Sequence, residues 1–105
     1  MAWGPWDIAD GQLSSTPAST IHSVTVTGVL GEVLLTNTHS TAVTCNIYVN
    51  RSGSDRRIGG KDMEIPAGGY RRLSLAVALL NGDIIKGDAS VNNVVDHVFS
   101  GVKNA

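Results

Sequence analysis

The sequence predicts an all-β chain: an antiparallel β-sandwich or small barrel with an extended N-terminal arm. Three observations carry this. Strict two-residue alternation recurs, most clearly in TAVTCNIYVN (41–50), where Val43, Cys45, Ile47 and Val49 are apolar and the residues between them are small or polar. Turn-forming residues separate such stretches at intervals of about 8 to 12 residues, the spacing of short strands in sandwiches and barrels. Helical periodicity of any length is missing from the sequence.

Residues 1–18, MAWGPWDIADGQLSSTPA, have no sustained period but hold Pro5, Pro17 and both tryptophans. They read as an extended arm, followed by the sandwich domain over 19–105. Tryptophan is costly to leave in water, so the arm either folds back on its own domain or docks on a neighbour. TIHSVTVTG follows as a strand, with Val24 and Val26 alternating against Ser23, Thr25 and Thr27. Gly28 and Gly31 mark a turn or bulge. EVLLTN (32–37) is the next strand, and TNTHST its turn. After the cleanest strand, 41–50, NRSGSD is a loop. RRIGGKDMEIP gives two short extended pieces around Gly59-Gly60. Pro66-Ala67-Gly68-Gly69 is the strongest turn signal. YRRLSLAVAL (70–79) has leucine and alanine enough for a helix, but strict alternation of Leu73, Leu75, Val77 and Leu79 decides for strand. DIIKGDAS (83–90) and VVDHVFSGV (94–102) complete seven or eight strands.

Composition excludes several function classes. Net charge is −1 and charged residues are 16%, so nothing forms the basic footprint of a nucleic-acid partner. Two arginine pairs, Arg56-Arg57 and Arg71-Arg72, either sit solvated at strand ends or anchor an acidic partner surface. Residues 1–20 lack both a basic start and an apolar run, so no leader is expected. No stretch approaches the roughly 18 apolar residues of a helical membrane span, and no membrane partner is expected. The single cysteine rules out an internal disulfide framework. Cys45 falls on the apolar face of its strand and reads as a buried, inert thiol.

Chemistry is sparse. His22, His39 and His97 lie on separate segments without metal-ligand spacing. No serine occupies a G-x-S-x-G elbow, and neither Gly-Gly pair opens a helix that could cradle phosphate. Asp83 and Asp88 read as turn and loop residues rather than a paired acid and base. Tyr48 and Tyr70 are too few for a stacking platform. No cofactor or metal is expected, and no enzymatic activity.

From Asn46 the wording resembles small virion proteins of tailed bacteriophages. The shared features are an N-x-Y-V run (Asn46 to Val49), an R-I strand (Arg57-Ile58) and an L-x-x-G-type turn (Ile65 to Gly68). A GD-x-I-x-G-x-A-S run follows within Leu80 to Ser90, then a strand ending SGV (Ser100 to Val102). The opening MAWGPWDIADGQL is similar to the start of such proteins. The resemblance implies a β-sandwich or jelly-roll subunit, most simply a capsid decoration or cement protein bound to the major capsid protein on the capsid surface. A neck, tail or fibre-attachment component is the alternative, and a virion-surface receptor- or carbohydrate-binding module a further one. It also implies a homo-oligomer, dimer or trimer, made in the bacterial host cytoplasm. The arm residues Trp3, Pro5 and Trp6 are then expected to anchor on a neighbouring subunit, against the simpler role of covering one open end of the sandwich.

Overall fold

The computed structural model describes residues 2 to 104. It contains eight strands: β1 (Trp3–Gln12), β2 (Ser19–Ser23), β3 (Thr27–Asn37), β4 (Val43–Arg51), β5 (Ser54–Ile65), β6 (Tyr70–Leu79), β7 (Ile84–Ala89) and β8 (Val95–Asn104). They form two antiparallel four-stranded sheets. Sheet A has the order β1-β8-β3-β6, and sheet B the order β2-β7-β4-β5. The pairing is nested: β1 with β8, β2 with β7, β3 with β6 and β4 with β5. One long folded hairpin has been rolled into two layers, knitted internally by β3–β8 and β4–β7. This is jelly-roll order.

The core lies where the alternating apolar positions of the two sheets meet. Val43, Cys45, Ile47 and Val49 of β4 face Leu30, Val33 and Leu35 of β3 and Phe99 of β8 across the sandwich, all buried. On β6, Leu79 is fully buried, while Leu73, Leu75 and Val77 are half-buried because that strand is an edge. Asn37, also buried, knits one end together. Its side-chain amide donates to the carbonyls of Thr41 (2.9 Å) and Ile65 (3.0 Å), and its oxygen accepts from the His39 amide (2.8 Å). Three backbone ends are thereby satisfied by one side chain.

Three segments differ from the alternation-based reading. Residues 3–12 are paired with β8 as an edge strand of sheet A, so the sandwich takes in this segment rather than beginning at residue 19. Gly4, Pro5 and Gly11 hide them by interrupting the alternation, and an edge strand needs only one hydrogen-bonded neighbour. Residues 24–26, expected inside a strand, form the corner where the chain passes from sheet B to sheet A. Val24 is buried there, and its backbone groups bond to Asp83 O (2.8 Å) and Gly82 N (2.9 Å) instead of a ladder. Residues 54–65 form a single strand with a wide bulge at 59–62 opposite Asn46, where two short pieces were expected. Gly59 (φ +78°) and Asp62 (φ +50°) supply its left-handed turns. Gly31 is a bulge inside β3, one of the two roles its position suggested.

Candidate functional site

The two outer faces of the sandwich differ in chemistry. On sheet B the outward residues bind one another. Asn46 donates to Asp62 (2.9 Å) and Asp88 (3.2 Å), and its oxygen accepts from the Asp62 amide (2.8 Å) and from Arg57 Nε (3.0 Å). Tyr48 donates to Asp88 (3.2 Å), and the Arg57 guanidinium lies 5.1 Å from its ring centre. Partial burial, then the Asp88 carboxylate, raise the Tyr48 pKa. Asp55 accepts from Asn50 (2.7 Å) and pairs with Lys86 (3.3 Å), which together hold its carboxyl below the usual range. This face has largely satisfied its own polar groups.

Sheet A is different. Trp6, Leu30, Val33, Leu79 and Phe99 point inward, so the alternate residues of β1, β8, β3 and β6 point out. The register aligns these outward residues in rows across all four strands. One row is Pro5, Val102, Val29 and Ala78; the next is Asp7, Ser100, Glu32 and Ser74; a third is Asp10, Val98, Leu34 and Arg72. Of the five exposed large hydrophobic residues among the described ones, four lie on this face: Trp3 (55% exposed), Tyr70 (69%), Val98 (44%) and Val102 (43%). Three shallow hollows open on it, floored by Leu34, by Val98 and by Val29 with Val102.

The arm residues separate by strand parity. Trp3 and Pro5 are exposed on the outer face, whereas Trp6 is 8% exposed and turned into the chain's own core. Its ring meets His22 edge-on at 6.1 Å. It also lies so close over Gly28 that a Cβ there would stand 2.5 Å from the ring. The arginine pairs separate for the same reason, since neighbours on a strand point to opposite sides. Arg57 belongs to the polar network of sheet B, while Arg56 lines an open cleft of ≈ 460 Å³ with Val49, Arg51, Ile58 and Val77, between the β4–β5 hairpin and β6. Arg72 lies on the outer face of sheet A, 3.5 Å from Glu32, and Arg71 reaches the Glu64 carbonyl (3.4 Å).

Three buried polar groups carry the remaining electrostatics. Asp83 caps the β6–β7 turn by accepting from the Leu80 amide (2.9 Å), as its place after Asn81-Gly82 suggested. Unforeseen is its partner Arg51, whose Nε (3.0 Å) and Nη2 (2.6 Å) both donate to the carboxylate. That hydrogen-bonded pair holds the Asp83 pKa low. Arg51 Nη2 also bonds Ala78 O (2.7 Å), so one side chain ties the β4–β5 hairpin to the end of β6. Burial pushes the Cys45 thiol up to about 11, with the Asp88 charge adding to it, so thiolate is scarce at neutral pH. His97 is buried edge-on against Phe99 (5.2 Å), and its Nδ1 has no partner among the described residues. Burial lowers its pKa against the opposing pull of Asp10 and Asp96. Among the described residues, no three His, Cys, Asp or Glu side chains gather closely enough to hold a metal ion.

No protein-family model matches the chain, and no curated protein does. Among solved structures, the Anabaena sensory rhodopsin transducer is similar over 89% of this chain and 92% of its own, at 17% identity and a TM-score of 0.43. Eiger TNF from S. frugiperda is similar over 82% of this chain and 62% of its own, at 11% identity and a TM-score of 0.36. Likenesses this weak carry no argument about function.

Proposed function

We propose that this chain is a structural subunit of a tailed-phage virion, a capsid decoration or cement protein that docks on the major capsid lattice through the outer face of sheet A. The observation that carries the docking is the gathering of Trp3, Tyr70, Val98 and Val102 on one face, while the opposite face is polar and internally bonded. Large apolar residues gathered on one exposed face in this way mark protein–protein contact. Trp3 and Pro5 stand exposed on the outer face of β1, where a neighbour meets them without any arm leaving the sandwich, and Trp6 supports the strand that carries them.

The virion setting rests on the sequence resemblance, and the fold gives its motif residues a physical role. Asp83 holds Arg51, and Gly87 sits where a Cβ would meet Ile21 and Ile47 at 2.9 and 3.0 Å. Gly68 and Gly82 adopt positive φ in the turns the pattern marks. These residues specify a rigid sandwich. A cement protein of this kind gains its strength from repetition, because many modest contacts on a lattice act together.

The test is the copy number per purified phage particle relative to the major capsid protein, by quantitative mass spectrometry. Hundreds of copies match a capsid lattice. About a dozen or fewer, the stoichiometry of a ring or fibre, move the chain to the neck, tail or fibre attachment. Absence from particles refutes the virion reading and returns the receptor- or carbohydrate-binding alternative, which a glycan array then tests.

A further inference from the structure

We propose that the outer face of sheet A binds a second copy of this chain, face to face, about a two-fold axis running along the strands between β8 and β3. The proposal rests on the reading of that face as a docking surface and names its occupant before assembly, a second copy that a lattice contact through the same face displaces.

A symmetric contact requires that residue i meet residue j while j meets i. The rows of sheet A meet that condition. In the row Asp10, Val98, Leu34, Arg72, the axis passes between the second and third residues. It lays Val98 of each copy over Leu34 of the other, and Asp10 of each over Arg72 of the other. The row Pro5, Val102, Val29, Ala78 is apolar throughout, so Val102 meets Val29 and Pro5 meets Ala78. Between these two apolar stretches the row Asp7, Ser100, Glu32, Ser74 sets Ser100 over Glu32 and Asp7 over Ser74, so polar contacts alternate with apolar ones while the two flanks carry opposite charge at Asp10 and Arg72.

Charge also selects the axis. The β1–β8 half of the face carries Asp7, Asp10 and Asp96. The β3–β6 half carries Glu32 with Arg72, whose mutual distance of 3.5 Å leaves the guanidinium free to reach a second carboxylate. An axis across the strands would set the acidic edge against itself, whereas an axis along them sets it against Arg72. Four strands at about 4.8 Å spacing and some ten residues at about 3.3 Å give roughly 600 Å² per copy. The total of about 1,200 Å² is at the lower end for a specific interface.

The test is sedimentation equilibrium of the full chain from about 1 to 500 μM at low salt, a range that brackets micromolar association. The wild-type chain is expected to dimerise, and Val98→Asp, an exposed substitution outside the core, to weaken the dimer at least about tenfold. Asp10→Arg alone and Arg72→Asp alone each place like charges together and are expected to weaken it as well. Mixed in equal amounts, those two single variants restore both ion pairs in the mixed dimer, and association is expected to recover. A wild-type chain that stays monomeric throughout, a dimer untouched by Val98→Asp, or a mixture no better than its components would each overturn the proposal. Particle copy number is read separately: a monomer present in hundreds of copies leaves the virion reading standing, and a dimer absent from particles does the reverse.

Discussion

Trp6 is the side chain that holds β1 to the rest of the sandwich, and replacing it with alanine measures that directly. A buried tryptophan removes about 200 Å² from water, worth about 5 kcal/mol at 25 cal/mol per Å². Large-to-small changes at buried aromatics cost about 3 to 5 kcal/mol. β1 is an edge strand with one neighbour, so it can detach locally and limit the loss; about 3 kcal/mol is expected. For a chain of 105 residues that lowers the melting temperature by some 15 °C. The companion substitution is Gly28→Ala, whose Cβ would stand 2.5 Å from the Trp6 ring and 2.7 Å from Val102 O. In the Trp6→Ala background the first clash vanishes and the second stays, so the two costs should fall short of additive by about 1 kcal/mol. Urea titrations followed by far-ultraviolet circular dichroism give all four stabilities, and hydrogen exchange shows whether β1 amides open. A Trp6→Ala cost below about 1 kcal/mol, or strict additivity with Gly28→Ala, would refute the burial of this residue under its own domain.

Two further predictions concern the buried polar groups. Asp83→Asn keeps the shape but loses the charged acceptor of Arg51, which at three accepted bonds and a half-exposed partner should cost about 2 kcal/mol; an unchanged urea midpoint would show that the pair contributes nothing net. Burial holds the folded-state pKa of His97 below its unfolded value near 6.5. The unfolded chain therefore takes up a proton first as pH falls, and stability present above that pH is lost on the acid side until the folded-state pKa is passed. His97→Leu removes the unpartnered Nδ1 and should flatten the acid side of the stability profile just below pH 6.5, measured as melting temperature against pH.

Alternation made most of the sandwich legible. β4, β6, β7 and β8 fall within one or two residues of the expected spans because each buries one face, and period two is the direct imprint of that burial. The 24–26 corner was not legible, because Val24 and Val26 alternate as a strand would while the backbone turns from one sheet to the other. β1 was hidden for the opposite reason: Pro5, Gly4 and Gly11 weaken its pattern, and only the distant β8 makes it a strand. The outer face of sheet A left one overlooked signal. In VVDHVFSGV the apolar residues occur at both parities, Val95 and Phe99 inward and Val98 and Val102 outward. A strand apolar on both sides is covered on both sides or awaits a cover. Arg51 could not be paired with Asp83 from sequence, since the pair joins two turns that are adjacent only after the chain has rolled.

The nested pairing also dictates an order of assembly. Only β4 and β5 are partners close in sequence; each later pair encloses the one before, and β1 must wait for β8. Closing such large loops before any contact rewards them makes folding slow, on the scale of milliseconds to seconds. During synthesis β1 emerges first and gains its partner last, so Trp6 stays exposed until β8 has left the ribosome. The segment that completes the apolar face of sheet A is therefore the last to be fixed in place.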